Sequence, residues 1–427
     1  PVPGRGETVM THPSDTQLAA LYGAGALDAQ KRRYGALAEE YAARFYPARS
    51  LRFFSAPGRT ELGGNHTDHN RGRVLAAAVT RDTIAAAEPR ADSLVRMHSS
   101  AFPQLFEVDL RSLGPHAGEA GTSPALIRGV AEGLEREGFA AGGFNAVVAG
   151  DVPVGSGLSS SASFEVLVGG IFSALYNGGG VDPVTLAKIG QYAENVHFGK
   201  PCGLMDQLAS AAGGVLAIDF RDPASPEVET IPFDFSRTGY TLAVVDTGGS
   251  HANLTPAYAS IPADMKRVAA LFGKTALREV GEEAFRAGMG PARAAAGDRA
   301  VLRALHFFAE NRRVARMAAA LVAGDFDAYL GLVAESGASS SAMLQNTAAP
   351  GDGREQPAAL AIGVSNDFFR RRGRGVSRIH GGGFAGTIQA YIPGDCVEAY
   401  ARLMEGLFGP GCVRPLAIRS GGVMAVV

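Results

Sequence analysis

The clearest helical pattern in the chain follows the stretch GDVPVGSGLSSSASFEV, residues 150–166. Downstream of the serines, apolar side chains recur with the i, i+3, i+4, i+7 spacing of one buried helix face. These apolar positions are Phe164, Leu167, Val168, Ile171, Phe172 and Leu175. The pattern predicts a helix that begins among the serines.

Elsewhere the pattern predicts a mixture of strands and helices. Short apolar runs bounded by turn residues are typical of strands, and they lie at residues 73–90, 105–113, 144–152, 241–248 and 386–394. Helices are predicted for residues 16–45, rich in Ala, Leu and Glu, and across residues 264–335, rich in Ala, Leu and Arg. Residues 346–359 are predicted to form a loop. Because strands and helices mix in both halves, the predicted class is α+β.

The length of the chain predicts two domains. Its 427 residues exceed the roughly 250 to 300 at which one hydrophobic core stops growing. Residues 221–239 concentrate Pro, Asp and Ser, so a boundary or a surface excursion is predicted there. The predicted domains are residues 1–230 and 231–427. A cleft between two domains is the default position of a ligand site.

Composition and charge narrow the class of partner. The chain is 46% hydrophobic, and its 40 basic and 42 acidic side chains leave a net charge of −2. This balance provides no electrostatic footprint for nucleic acid, and no apolar run is long enough to cross a bilayer. Cys202, Cys396 and Cys412 lack metal-site spacing and suit a reducing compartment. No signal peptide is visible, so we expect a cytoplasmic protein. We also expect a small-molecule partner and a monomer or weak homo-oligomer.

The serine loop has the features of a phosphate site. A helix N-terminus presents unpaired N–H groups and a partial positive charge, and Gly155 and Gly157 let the backbone approach a ligand closely. The loop lacks the lysine of the Walker A sequence. It also departs from the dinucleotide fingerprint, in which a glycine would replace Ser160. A purely structural helix cap is the alternative, although three consecutive serines, Ser159 to Ser161, exceed what capping needs.

A second polar constellation lies in APGRTELGGNHTDHNRGRVL, residues 56–75. This loop carries Arg59, His66, Asp68, His69 and Asn70 between strand-like segments. Three interpretations are open: a metal cluster, a satisfied polar turn, or donors and acceptors that recognise a polyol beside an arginine turned toward an anion. One short loop supplies few ligands in a defined geometry, which disfavours the metal.

A third constellation is GKPCGLMDQLASAAGG, residues 199–214, which places Asp206 near the start of an apolar helix. An acid there either complements the helix dipole or, if partly buried, serves as a general base. Glu194, on the preceding helix, is a candidate ligand for Mg²⁺, which prefers phosphate, carboxylate and hydroxyl oxygens. The glycine run in RIHGGGFAGTIQAYIP, residues 378–393, would by itself indicate only a tight turn.

Together these four motifs resemble the galactokinase family of the GHMP kinase superfamily. The first is close to P-G-R-V-N-L-I-G-E-H-T-D-Y-N-x-G-x-V-L, the serine loop to G-x-V-P-x-G-x-G-L-S-S-S-A-S, and the glycine run to a G-G-G-F-G-G turn. AENVHFGKPCGLMDQ, residues 193–207, is similar to the stretch that holds the family's catalytic aspartate. The resemblance implies a two-domain GHMP kinase fold, with a ribosomal-S5-domain-2-like N-terminal domain and a ferredoxin-like α+β C-terminal domain.

The resemblance also implies roles in ATP-dependent phosphorylation of a sugar at its anomeric hydroxyl. Asp206 would take the proton of that hydroxyl, and Arg59 would stabilise the γ-phosphoryl and keep Asp206 ionised. Ser161 and Glu194 would bind Mg²⁺. The nucleotide phosphates would be wrapped by Gly155, Ser156, Gly157, Leu158, Ser159, Ser160 and Ser161. The sugar would contact Asn65, His66, Thr67, Asp68, Gly203 and Tyr258.

The chain departs from the family pattern mainly around the sugar. The glutamate expected to hold the C6 hydroxyl is Asn65, the usual arginine pair after Tyr258 is absent, and the third motif has Ala385. Galactose is the predicted substrate, with an amino-galactose or a pentose as alternatives phosphorylated at C1. A sugar and nucleotide sensor without turnover is a further alternative, disfavoured because Ser161 and Ala162 are both present. An oxidoreductase that uses a dinucleotide is also disfavoured.

Overall fold

The computed structural model describes residues 12–45, 50–100, 102–152, 157–248, 254–351, 353–384 and 386–427. The strands are β1 (Arg52–Gly63), β2 (Arg73–Pro89), β3 (Leu94–Ser99), β4 (Phe102–Asp109), β5 (Phe144–Gly150), β6 (Val215–Asp219), β7 (Glu227–Ile231), β8 (Tyr240–Asp246), β9 (Val376–Ile379), β10 (Thr387–Pro393), β11 (Val413–Leu416) and β12 (Met424–Val426). The helices are α1 (Asp15–Tyr22), α2 (Leu27–Phe45), α3 (Ser123–Arg136), α4 (Ser160–Tyr176), α5 (Pro183–Tyr192), α6 (Met205–Ala212), α7 (Thr255–Leu271), α8 (Leu277–Val280), α9 (Glu282–Ala287), α10 (Met289–Ala296), α11 (Asp298–Val322), α12 (Phe326–Ser339), α13 (Pro357–Arg370) and α14 (Val397–Phe408).

The larger sheet has eight strands, and β2 organises it. The order is β12-β1-β2-β5-β3-β4, while β6 also pairs with β2 and β7 with β6. One end of β2 pairs with β6 over residues 73–77 and the other with β5 over residues 83–89. Every ladder is antiparallel except the one between β3 and β5. The long β2 therefore carries two different neighbouring strands along one edge, β6 near its start and β5 near its end.

Helices cover both faces of this sheet. Successive side chains of a strand point to opposite faces, so Phe53 packs in the cluster formed with α1 and α2, whereas Phe54 packs with α3, α4, α5 and α6. This double coverage explains why nearly all of β1 and β2 is buried. It also explains why β2 is largely apolar and does not alternate, whereas β1 buries polar residues as well, among them Ser55, Thr60 and Glu61.

The smaller sheet, β11-β8-β10-β9, is antiparallel and is also covered on both faces. Val244 packs in the cluster with α11 and α12, and Val245 packs in the cluster with α13 and α14. Helices α7 to α11 form a further apolar cluster of their own. The predicted α+β class is confirmed by these mixed sheets and helices.

The chain crosses between the two sheets more than once. The predicted division after residue 230 lies within β7, a strand of the larger sheet inside the segment expected to be a boundary or surface excursion. At the end of the chain, β12 returns to the larger sheet and pairs with β1. The two ends of the chain therefore share one sheet, because β12 pairs with β1. Composition alone does not reveal this pairing.

The loop predicted over residues 56–75 is wrong in its first part. Residues 56–63 belong to β1, so Arg59 lies on a strand.

Most other local predictions are confirmed. The predicted helix over residues 16–45 is interrupted at Gly23, whose φ of 84° ends α1. The loop predicted over residues 346–359 gives way to α13 at Pro357, because proline suits the first turn of a helix. Within the described residues, none of the helices has both the length and the apolar character needed to cross a bilayer.

Candidate active site

The serine loop ends where α4 begins, at Ser160, which confirms the predicted helix start. Ser159 adopts a left-handed conformation at the N-cap, with φ 62°. The Leu158 carbonyl accepts a hydrogen bond from the Arg59 backbone N–H at 3.0 Å, so the loop is attached to β1. A Cβ at Gly157 would lie 2.8 Å from His380 Nδ1, a contact that only glycine avoids. Gly155 and Ser156 lie outside the described residues.

Arg59 and Asp206 form a bidentate ion pair beside this loop. The Nε and Nη2 atoms of Arg59 on β1 each donate to one carboxylate oxygen of Asp206 at 2.6 Å. The hydroxyl of Ser159 donates to Asp206 Oδ2 at 2.6 Å, and Arg59 Nη1 donates to the Gly157 carbonyl. Arg59 is nearly buried, whereas 28% of the Asp206 side chain is exposed. The carboxylate is therefore oriented by the protein, on a side chain that remains partly exposed.

The charge of Asp206 follows from these contacts. Burial by itself raises the pKa of the Asp206 carboxyl, but the positive charge of Arg59 and the hydrogen bonds from Arg59 and Ser159 outweigh it. The net pKa is below the usual range of an aspartate. Asp206 is thus an ionised carboxylate at neutral pH, which is the state required of a proton acceptor.

A second carboxylate, that of Glu194, also contacts the first turn of α4. Glu194 belongs to a π-helical turn, Ala193–Phe198, that continues α5. Its Oε1 accepts from the Ser161 hydroxyl at 3.0 Å and from Lys200 Nζ at 2.8 Å, and its Oε2 accepts from Gln207 Nε2 at 3.0 Å. The pair predicted as Mg²⁺ ligands, Ser161 and Glu194, is therefore adjacent in space.

The oxygens of this pair fit a magnesium ion that takes its other ligands from phosphate and water. Mg²⁺ usually binds through one or two protein groups and completes its octahedron with substrate oxygens and water. Among the described residues, no group of three or more His, Cys, Asp and Glu side chains is arranged to hold a metal ion.

The loop between β1 and β2 brings further predicted residues to the same region. Asp68 packs so closely against Gly203 that a side chain at position 203 would overlap its carboxylate. His66 has a left-handed backbone, and its Nε2 lies 2.9 Å from the Gly382 carbonyl. Burial lowers the pKa of His66 to about 4, so the ring is neutral, Nε2–H donates to the carbonyl, and Nδ1 is an acceptor.

Asn65 and Thr67 face the interior of the same loop. Asn65 is 1% exposed; its Nδ2 donates to the Gly381 carbonyl at 2.6 Å, and its Oδ1 accepts from Asn346 at 2.7 Å. The Thr67 hydroxyl donates to the Arg73 carbonyl at 2.5 Å. Both side chains stabilise the loop conformation, and contact of either with a sugar stays a prediction.

Tyr258 lies against the glycine turn that precedes β10. Its hydroxyl donates to the Gly383 carbonyl at 2.9 Å, and its ring packs edge-on to Phe384 with centroids 5.4 Å apart. A Cβ at Gly382 would overlap the Tyr258 ring. The glycine turn thus holds both His66 and Tyr258, which connects the third motif to the predicted sugar loop.

A cavity of about 400 Å³ opens beside Asp68 and Gly203. Its wall also includes His69, Arg71, Gln191, Cys202 and Lys266. The cavity is polar and partly open, and it adjoins two of the predicted sugar-contacting positions. Lys266 of α7 and the two residues before α8, Thr275 and Ala276, supply another part of the wall.

Four site residues were missed by sequence reasoning: Glu165, Lys200, Gln207 and His380. Gln207 donates to both Glu165 and Glu194, and burial followed by the Glu194 charge raises the pKa of Glu165 well above its usual value. His380 lies 3.0 Å from the Thr60 hydroxyl, next to Gly157. Lys200 and Gln207 lie in the same motif as Asp206. Their closeness to Asp206 in the sequence is the signal that could have identified them as site residues.

Comparisons with known proteins identify the family of the chain. A family model described as the GHMP kinases N terminal domain matches residues 125–214, and one described as the galactokinase galactose-binding signature matches residues 39–89. A galactokinase of Streptomyces coelicolor is 34% identical over 369 residues, covering 85% of this chain and 90% of the relative.

Two solved structures are similar in fold. The galactose complex of Lactococcus lactis galactokinase superposes with a TM-score of 0.78 at 27% identity, covering 91% of this chain and 99% of that chain. Mevalonate kinase of Methanococcus jannaschii has a TM-score of 0.61 at 12% identity, covering 87% and 99% of the two chains. The fold and motifs are those of the GHMP kinase superfamily. Within that superfamily, the chain belongs to the galactokinase family.

Proposed function

We propose that the protein is an ATP-dependent sugar 1-kinase that transfers the γ-phosphoryl group of ATP to the anomeric hydroxyl of galactose, giving galactose 1-phosphate and ADP. The observation that carries the proposal is the Asp206 carboxylate, held ionised by Arg59 and hydrogen-bonded to Ser159 at the N-terminus of α4. A proton acceptor and a phosphate-binding helix end are thereby adjacent. The galactokinase relative supports the choice of reaction and of sugar.

Asp206 and Arg59 have different roles in the proposed phosphoryl transfer. Asp206 accepts the proton of the anomeric hydroxyl while that oxygen forms a bond to the γ-phosphorus, and the bond from the γ-phosphorus to the β,γ-bridging oxygen breaks to release ADP. Arg59 offsets the charge on the γ-phosphoryl oxygens. Since phosphoryl transfer leaves little covalent work for the protein, alignment and charge stabilisation provide most of the acceleration.

The nucleotide is expected at the N-terminus of α4. Backbone N–H groups of the loop from Gly155 to Ser161 would bind the phosphates, as helix N-termini bind anions. Ser161 and Glu194 would hold Mg²⁺, which when bound neutralises phosphate charge. Burial keeps the Glu194 carboxylate oriented, since 3% of its side chain is exposed.

The sugar is expected between Asp206 and the loop after β1. Asp68 and Gly203 line the cavity there, and Asp68 would provide a carboxylate acceptor. Neutral His66 would provide Nδ1 as an acceptor, and Tyr258 packs on the same glycine turn as His66. We assign Asn65 and Thr67 to the support of this loop, because their side chains already have partners.

A panel of monosaccharides scored for ADP release, with ATP and Mg²⁺, tests the function. Galactose should give the highest kcat/KM, and the panel should include galactosamine, 6-deoxygalactose and a pentose of galactose configuration. Binding of ATP and sugar without ADP release would indicate a sensor instead. Turnover of another sugar at higher kcat/KM would retain the kinase and replace the substrate.

The pH dependence of kcat/KM tests the partnership of Arg59 with Asp206. The active form of a base is ionised, so activity is lost as pH falls through its pKa. Arg59→Gln removes the charge that lowers this pKa and leaves the burial that raises it. The acidic limb should therefore move to higher pH in Arg59→Gln, in addition to a lower plateau.

Arg59→Lys is the matched control, because it keeps a positive charge but loses the bidentate geometry. Its acidic limb should stay closer to that of the wild type, even though its plateau falls. An acidic limb at the same pH in wild type and Arg59→Gln would contradict the assignment of Asp206 as the titrating base.

A further inference from the structure

Lys200 is a cation at the rim of the nucleotide site with no role in the scheme above. It lies in the short linker between the π-helical turn and α6. Its backbone N–H donates to the Glu194 carbonyl at 3.0 Å, and its Nζ donates to Glu194 Oε1 at 2.8 Å. The Lys200 side chain is 60% exposed, while that of Glu194 is 3% exposed. A solvated stem thus ends in an ammonium that reaches into the site.

The position of this ammonium is tied to the start of α4. The Glu194 oxygen that accepts from Lys200 also accepts from the hydroxyl of Ser161, the second residue of α4. The Lys200 charge is also among the influences that lower the pKa of Asp206. Lys200 is therefore paired with Glu194 and within electrostatic range of Asp206, next to the helix end where phosphates are expected.

The negative charge of a bound triphosphate would need more positive charge than Arg59 supplies. Arg59 has its Nε and Nη2 on Asp206 and its Nη1 on the Gly157 carbonyl. The serine loop contains no lysine of its own, in contrast to a Walker A loop. A triphosphate carries several negative charges, and an ammonium on a flexible stem is a common binder of phosphate.

We propose that Lys200 binds the phosphates of the nucleotide directly and that its ion pair with Glu194 is the resting position of its side chain. The inference rests on the proposed kinase function, because it presumes a nucleotide at the mouth of α4. When Glu194 takes up a divalent cation, the ammonium loses its acceptor, and phosphate oxygens replace it. The exposed stem permits this movement without rearrangement of the backbone, whose N–H remains on Glu194.

Chemical labelling of lysine amines reports on Nζ directly. Acetylation rates at individual lysines, measured by mass spectrometry with and without ATP and Mg²⁺, should fall several-fold at Lys200 when nucleotide binds. Lys31 is a matched control, since it is also ion-paired at 2.8 Å, to Asp15, and is half exposed but lies on α2. An unchanged or faster rate at Lys200 would overturn the proposal, because it would mean that the amine is left free when Glu194 is occupied.

Direct binding measurements provide the second readout. Lys200→Met should raise the Kd for ATP by about ten- to a hundred-fold, the range expected for a lost hydrogen bond to a charged group. Lys200→Arg should remain near the wild type, and Lys31→Met should equal it. A Kd for Lys200→Met within two-fold of the wild type, or equal weakening by Met and Arg, would refute phosphate binding by Lys200.

These results are separable from a failure of the proposed function. A wild-type protein that releases no ADP with galactose or any other sugar fails the kinase proposal, whatever Lys200 does. A wild type that phosphorylates galactose but shows no nucleotide protection of Lys200 keeps the kinase proposal and loses this inference alone.

Discussion

Replacement of Asp206 by asparagine should lower kcat by about 10² to 10⁴-fold, the usual contribution of a general base. The amide has nearly the same volume as the carboxylate but cannot accept the proton of the anomeric hydroxyl. Sugar and ATP should still bind, since other residues border their sites. Steady-state kinetics combined with calorimetric titration of each ligand would separate the loss of turnover from a loss of binding.

Ser159→Ala is the matched control for this change. It removes one of the three hydrogen bonds to Asp206 and leaves both bonds from Arg59 in place. It should therefore reduce kcat far less than Asp206→Asn. A thermal unfolding scan of both variants is needed, because Asp206→Asn leaves the nearly buried Arg59 without its counter-charge. A kcat of Asp206→Asn close to that of the folded wild type would exclude Asp206 as the base.

Replacement of Asn65 by glutamate should destabilise the protein by about 3 to 5 kcal/mol, the cost typical of an uncompensated buried charge. Asn65 Nδ2 lies 3.2 Å from Glu61 Oε1, and Glu61 is itself 3% exposed. The buried Arg378 already pairs with Glu61, so a second carboxylate would be left without a cation of its own. Denaturant unfolding would measure the loss as a lower midpoint.

Asn65→Gln separates charge from size, because glutamine has the shape of glutamate without its charge. The glutamine variant should lose less stability than the glutamate variant, and the difference between them is the cost of the charge. Equal stability of the two, together with a sharper preference of Asn65→Glu for galactose over 6-deoxygalactose, would contradict the inward orientation. It would instead support the hypothesis that position 65 contacts the C6 hydroxyl.

Position 65 also marks a limit of motif comparison. The sequence shows that an amide replaces the glutamate expected in the family, and the natural hypothesis is a change in sugar recognition. In the structure, the Asn65 amide bonds to Gly381 and Asn346, residues far away along the chain. The partner of a polar side chain in a loop depends on which distant segment packs there, and no local pattern contains that information.

The sequence by itself determined the local features of this protein. The helical period after the serines predicted the start of α4, because burial of one helix face requires apolar residues at that spacing. The order of four motifs indicated the family, the class of fold and the residues to test. These features depend on short segments whose chemistry can be recognised without knowledge of their neighbours.

Only the tertiary structure decided which groups meet. The Arg59 and Asp206 side chains are 147 positions apart in the chain, yet they pair because β1 and the start of α6 are brought together around α4. The return of β12 to the larger sheet likewise depends on its register with β1. The contact of Lys200 with Glu194 depends on the path of the linker before α6. Hydrophobic periodicity encodes which face of an element is buried, whereas the identity of the residue opposite it is set by packing between segments distant in sequence.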